Sequence, residues 1–319
     1  MRIEWVPHLM NLHEPNFRSE VCNTDEFGFR HTIKNSKVLD YAAFQEEPGS
    51  KGLVCGGSTA FGVGATNDSA TITSVLNRSS HTTWFNFAGM AHNSTQELFR
   101  FLLFLPKVDQ VVLLTGINNL TIHTVSPHFS EVYGAVFSQT IFQLLNNINT
   151  NPKYLKYLAG RLRHRFIDSL LQFLPGLTAG TPDMPDFESR YSQSLIILAR
   201  DLDVWAMLRD QKGFSLQFVL QPIAVWMPKV LSTEEEELIH GLETSGRRQW
   251  GAQHEQEVTQ TYQRYRQDTQ VLCQALNIPW IDCNELLPRD GWLFCDRVHL
   301  TDEGQKQAAG VILAATARS

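Results

Sequence analysis

Val54-Cys55-Gly56-Gly57-Ser58-Thr59 begins as an apolar run and gives way abruptly to two glycines and a hydroxyl. The pattern reads as a buried strand ending in a nucleophile elbow. Glycines permit a tight turn and close backbone approach, and the serine is left at the carboxyl edge of a sheet, where α/β proteins place ligands. Gly-Gly-Ser is also an ordinary turn, so the motif gains meaning only from the rest of the chain. Outward from it, strands alternate with helical segments. The candidate strands are Leu53-Val54-Cys55, Trp84-Phe85-Asn86, Val111-Val112-Leu113-Leu114, Leu216-Gln217-Phe218-Val219-Leu220 and Ile278-Pro279-Trp280-Ile281. This alternation predicts an α/β fold in three layers, a parallel five-stranded sheet with helices on both faces.

Two further stretches carry chemistry. In Phe294-Cys295-Asp296-Arg297-Val298-His299, a carboxylate three residues before a histidine can fold back within one turn. It can then accept the Nδ1 proton and turn Nε2 toward a hydroxyl. The same spacing also suits a surface pair or half of a metal site. Between Ser58 and this pair, Val111-Val112-Leu113-Leu114-Thr115 stops at Gly116 and delivers Ile117-Asn118-Asn119. The Asn118 amide at that strand end can donate to an oxyanion.

Together these stretches resemble the SGNH hydrolases, the family also called GDSL esterases. Gly56-Gly57-Ser58-Thr59-Ala60-Phe61-Gly62 is similar to the branch that reads Gly-Gly-Ser in place of Gly-Asp-Ser. Asn86-Phe87-Ala88-Gly89-Met90-Ala91-His92-Asn93-Ser94 aligns with a segment that usually carries two glycines, one of them an oxyanion donor. Here that position falls on Ala91, with Gly89 as the alternative if the loop register differs. Gly116-Ile117-Asn118-Asn119 keeps the donor asparagine and has Asn119 where the family commonly has aspartate. Asp296-Arg297-Val298-His299 is complete and is followed by Thr301-Asp302-Glu303-Gly304 and an alanine-rich helix. The resemblance implies a flavodoxin-like SGNH hydrolase fold with Ser58, Asp296 and His299 as catalytic residues. The implied oxyanion hole is formed by the Ser58 and Ala91 N–H groups and the Asn118 amide. It implies a serine hydrolase that cleaves an ester or thioester without cofactor or metal, its acyl substrate a small molecule or tethered to a carrier. A biosynthetic acyltransferase using the same acyl-enzyme is the alternative. A non-catalytic binding or regulatory protein on the same fold is the reading from another class, motivated by the altered positions Ala91 and Asn119.

Composition bounds the rest. At 319 residues the chain can bury a large core, and one elaborated domain is expected over residues 1–319. It would carry an N-terminal cap over 1–50 and a helical insertion over 121–210. With 27 Lys plus Arg against 33 Asp plus Glu, the net charge of −6 leaves no electrostatic footprint for nucleic acid. Met1-Arg2-Ile3-Glu4-Trp5-Val6-Pro7-His8 places an acid and a proline where a signal peptide needs an apolar stretch, and no later run reaches spanning length. Five cysteines without a Cys-x-x-Cys pair predict reduced, mostly buried thiols in a cytoplasmic setting and no zinc site. Cys55 and Cys295, beside the functional stretches, read as core filler.

Three segments draw separate expectations. In the cap, Arg30 within Asn23-Thr24-Asp25-Glu26-Phe27-Gly28-Phe29-Arg30 is read chiefly as a structural salt bridge and secondarily as a contact for a substrate carboxylate or phosphate. In the insertion, Phe129, Val132, Val136, Ile141, Leu144 and Leu145 fall near one helical face. Lys153 to Phe166 is basic and aromatic there, suiting either a covering helix or a lid or docking face for an acidic carrier or an anionic membrane. Beyond it, Ser232 and Glu235 have capping-box spacing at a helix start, which accounts for the run Glu234-Glu235-Glu236.

Overall fold

The computed structural model describes residues 1–4, 6, 9–121, 128–130, 134–136, 186–244 and 252–316. Two short antiparallel pairs come first, β1 (Ile3–Glu4) with β2 (Leu12–His13) and β3 (Thr32–Lys34) with β4 (Lys37–Leu39). Helix α1 (Tyr41–Glu46) leads into β5 (Lys51–Gly56), α2 (Ser58–Phe61), α3 (Ile72–Ser79), β6 (Thr83–Asn86), α4 (Ser94–Phe104), β7 (Gln110–Thr115) and α5 (Ile117–Thr121). A hairpin of β8 (His128–Ser130) and β9 (Gly134–Val136) follows, then α6 (Phe187–Lys212), β10 (Ser215–Leu220), α7 (Thr233–Thr244) and α8 (Ala252–Ala275). The last elements are β11 (Trp280–Asp282), α9 (Cys283–Leu286) and α10 (Asp302–Thr316).

Five strands form one parallel sheet in the order β11-β10-β7-β5-β6. Its strands are buried on both faces, which is why their sequences are near-continuous apolar runs. Leu53, Cys55, Val111, Leu113 and Phe218 point to one side, against Leu198 and Trp205 of α6 and Tyr265 of α8. Val54, Val112, Leu114 and Val219 point to the other, against Ile72 and Leu76 of α3 and Ala308 and Ile312 of α10. Each valine, leucine, isoleucine or phenylalanine among them contributes about 1.5–3 kcal/mol by leaving water. Strand order reverses at β5, which has β6 on one side and β7 on the other. The crevice at the carboxyl ends of β5 and β7 is therefore the topological switch point, where sheets of this kind bind ligands. Ser58 follows β5 and Asn118 follows β7.

The expected strands all form, the last displaced along the chain to Trp280–Asp282. Pro279 has no N–H to give a ladder and stands at the strand's entrance, its carbonyl accepting from Phe218 N at 2.9 Å. Arg30 is structural: it is 2% exposed, its Nε lies 2.8 Å from Asp68, and its Nη atoms donate to the carbonyls of Gly62 and Val21. The helical face expected through Phe129 and Val136 does not form. Phe129 pairs with Ala135 and His128 with Val136 across the antiparallel hairpin, and the polar-apolar-polar order of His128-Phe129-Ser130 suits a period of two. The latter part of the insertion is helical from Phe187 onward. Val132, Ile141, Leu144, Leu145 and the basic stretch Lys153–Phe166 lie outside the described residues. All five cysteines are free thiols. Among the described residues no helix is long and apolar enough to cross a membrane.

Candidate active site

Three side chains from the two ends of the chain meet above the switch point. Ser58 opens α2, directly after the β5 strand end, and Gly57 caps the helix with no side chain of its own. A Cβ on Gly57 would stand 2.5 Å from Asn118 Nδ2, so only glycine lets the two strand ends close on one another. The Ser58 hydroxyl lies 2.7 Å from His299 Nε2. His299 Nδ1 lies 2.6 Å from Asp296 Oδ2. Since the carboxylate can only accept, Nδ1 carries the proton and Nε2 is left as an acceptor for the serine hydroxyl.

The Asp296–His299 turn is built by its own acid. Asp296 Oδ1 accepts from the N–H groups of Val298 at 2.7 Å and His299 at 2.8 Å, while Oδ2 takes the ring. Burial alone would raise the Asp296 carboxyl. The His299 ring and those two amides outweigh it and hold the group below the usual carboxylate range. A bridge between Phe294 and Leu300 closes the turn, and Thr59, next to Ser58, donates its hydroxyl to Val298 O at 3.3 Å. Behind it, the Arg297 guanidinium pairs with Glu243 of α7 and with Glu255 of α8 at 2.9 Å. The thiol of Cys295 is pushed up to about 12 by burial and by Asp296, which keeps it protonated beside the pair.

On the opposite side of Ser58 runs the loop after β6. Most of its amides are engaged: Ala88 N–H with Asn86 Oδ1, Gly89 with Gly56 O, Met90 with His13 Nε2, His92 with Gly89 O, and Asn93 with Gln96 Oε1. Among the described residues only the Ala91 N–H of this run has no acceptor. Ala91 also adopts φ +59°, the left-handed region where a glycine is easier. The N–H of Gly89, the register alternative, donates to Gly56 O at 3.0 Å, and a Cβ there would run into the His92 ring.

Asn118 donates one amide hydrogen to His92 O at 2.6 Å, and among the described residues its second has no acceptor. Asn119 faces away and braces α4: its Oδ1 accepts from Ser94 N at 3.1 Å and its Nδ2 donates to Ser94 Oγ at 2.8 Å. Hydrogen bonds thus join Ser58, His299 and Asp296, Asn118 comes up against Gly57 beside Ser58, and Ala91 precedes His92, whose carbonyl Asn118 holds.

Sequence reasoning missed the supports of this crevice. Asn11 and His13 grip Met90 from 79 and 77 residues away. Arg100, fully buried, donates to Ala88 O at 2.6 Å and stacks 3.9 Å over Phe29. The Ser232–Glu235 capping box forms as expected. Glu235 is additionally a hub, accepting from Lys229 Nζ at 2.7 Å and from the Leu293 and Phe294 amides that lead into the Asp296 turn. No local motif marks these partners. A buried charge at Arg100 or Glu235 becomes visible only once the fold is known. Among the described residues no group of histidine, cysteine or acidic side chains could hold a metal ion.

No protein-family model and no curated protein matches the chain. Among solved structures it is similar to an extracellular lipase from Streptomyces rimosus, 13% identical with a TM-score of 0.45 over 84% of this chain and 100% of that one. It is also similar to an aryl esterase of M. smegmatis, at 12% identity and a TM-score of 0.43 over 85% and 99% of the two chains. A third is the acetyl xylan esterase AlAXEase, at 13% identity and a TM-score of 0.41 over 83% and 98%.

Proposed function

We propose that this chain is a serine hydrolase that cleaves an ester or thioester through an acyl-enzyme on Ser58. The observation that carries the reading is the hydrogen-bonded line from Ser58 Oγ to His299 Nε2 at 2.7 Å and from His299 Nδ1 to Asp296 at 2.6 Å. In that line His299 takes the Ser58 proton as Oγ attacks the acyl carbonyl, and Asp296 stabilises the imidazolium that forms. The tetrahedral oxyanion is received by the N–H groups of Ser58 and Ala91 and by the free amide hydrogen of Asn118. His299 then gives its proton to the departing alcohol or thiol, and a water activated by the same ring releases the acid. No step calls on a metal or cofactor. The acyl donor on this reading is a small molecule or a carrier-tethered acyl group.

A fluorophosphonate probe tests it. The folded wild-type chain should be labelled at Ser58 and should hydrolyse a short p-nitrophenyl ester. Ser58→Ala and His299→Ala should each remove nearly all turnover, and the double variant should lose little more, because the pair acts as one unit. Wild-type turnover in Ser58→Ala would refute the reading. Failure of the folded wild type to label would favour a binding protein. Added alcohols or amines that divert the acyl group from water would identify an acyltransferase.

A further inference from the structure

The proposed oxyanion donors are held by residues from the far end of the chain. His13 is 1% exposed, and its Nδ1 lies 3.1 Å from Gly28 O, an acceptor, so Nδ1 carries the proton. Its Nε2 is then the acceptor for the Met90 N–H at 2.9 Å. Asn11, 3% exposed, donates Nδ2–H to Met90 O at 2.7 Å, so both backbone groups of Met90 are fixed by residues two apart in one strap. The consequence lies in the next peptide. Met90 C=O and Ala91 N–H belong to one planar trans peptide group and point in opposite directions. Holding the oxygen against Asn11 therefore fixes the Ala91 N–H to point away from Asn11.

The strap reaches the second donor as well. Asn11 O lies 3.0 Å from His92 Nε2, and the His92 carbonyl is the acceptor that orients Asn118 at 2.6 Å. Asn11 is itself anchored, since Gln96 Nε2 donates to its Oδ1 at 2.8 Å and to Leu9 O at 2.7 Å. Gln96 in turn belongs to the capping box that starts α4. We propose that Asn11 and His13 are positioning residues that set the Ala91 N–H and the Asn118 amide for the transition state, which makes the first strands of the chain part of the reaction machinery. The proposal rests on the reading of Ser58 as nucleophile. Neither residue touches the substrate. Their effect belongs to the transition state, because the oxyanion is absent from the bound substrate and develops only as Ser58 attacks.

Asn11→Ala, His13→Phe and His13→Gln would be compared with wild type by two measurements, each well below the melting temperature. The first is kinetic. Asn11→Ala and His13→Phe should lower kcat by about tenfold to a hundredfold with KM within about twofold, and should weaken a boronic acid inhibitor by a similar factor. His13→Gln, whose side-chain oxygen can take over the Met90 N–H, should recover most of the loss. The second is independent of turnover: hydrogen exchange should quicken in the peptide covering 88–93 in His13→Phe and leave 53–61 unchanged. Unchanged exchange, unchanged kcat with quickened exchange, or a loss that falls on KM alone would each overturn the proposal. Absence of turnover and of Ser58 labelling in the wild type would instead remove the nucleophile reading and this proposal with it.

Discussion

Glu97 offers a quantitative test of how the crevice is supported. It sits in the first turn of α4, 2% exposed, with the Thr115 hydroxyl donating to its Oε1 at 2.6 Å at the end of β7. Burial pushes its carboxyl from 4.5 up to about 8; the Thr115 hydrogen bond pulls it down and Asp201 adds to the rise. At neutral pH the folded chain therefore keeps a proton that the unfolded chain releases. A raised carboxyl contributes its stability fully below 4.5 and loses it as pH rises through about 8. At about pH 7 the loss amounts to roughly 2.5 pH units of linkage, or about 3 kcal/mol. Glu97→Gln keeps an oxygen for Thr115 and removes the titration. The variant should be more stable than wild type by about 3 kcal/mol near pH 7 and equal to it below about pH 4. Urea unfolding followed by tryptophan fluorescence across that range measures the difference. Ester hydrolysis should be preserved, because Thr115 still anchors the strand end that delivers Asn118. A variant that is less stable near pH 7, or a stability difference independent of pH, would refute the reasoning.

His92 titrates with the opposite sign. Burial, then Arg100, lowers its ring from 6.5 to about 3, so its stability is present above 6.5 and is lost as pH falls toward about 3. His92→Gln should flatten an acid loss of about 3 kcal/mol at about pH 4.5, read from urea midpoints. Asn118→Ala should lower kcat by roughly a hundredfold to a thousandfold with KM little changed. Asn119→Ala should cost about 1 kcal/mol of stability through Ser94 and less than tenfold in rate, and equal kinetic losses at the two positions would show that the donor is misassigned. Asp296→Asn should cost at least about a hundredfold in kcat, through the wrong His299 tautomer, with Ser58 still slowly labelled.

Much of the site was legible because its residues are tied to local events. Ser58 and Asn118 stand where apolar runs stop at glycine, and parallel strands buried on both faces cannot hide such runs. Asp296 and His299 form their pair within one turn, so spacing alone suggested it. Ala91 was legible only through the resemblance, and its φ of +59° is one that a glycine adopts more easily. The supports were not legible. Asn11, His13 and Gln96 act through hydrogen bonds spanning 77 to 87 residues, and single polar residues at such separations carry no pattern. The hairpin at β8 and β9 was misread because a few apolar residues fit a helical face and an alternating strand equally well.

The two halves of the crevice are secured by different means. Ser58 and Asn118 follow β5 and β7, neighbouring strands whose ladder fixes their separation, while Ala91 lies in the loop after β6 that Asn11 and His13 hold at Met90. His299 has no such tie, since β11 lies at the sheet edge and a loop intervenes before the Asp296 turn. Its position is set by contacts with other parts of the chain. Thr59 holds Val298 O, Ala224 N–H holds Arg297 O at 3.0 Å, and Glu235 gathers the Leu293 and Phe294 amides. The side chains of Glu235 and its partner Lys229 are buried, and Lys229 also donates to Gly291 O at 2.8 Å. Removing one member of such a pair typically costs about 3–5 kcal/mol, because the other charge is left buried and alone. The distance between Ser58 and His299 therefore depends on an ion pair remote from both, and removing that pair should displace His299 while leaving Ser58 in place.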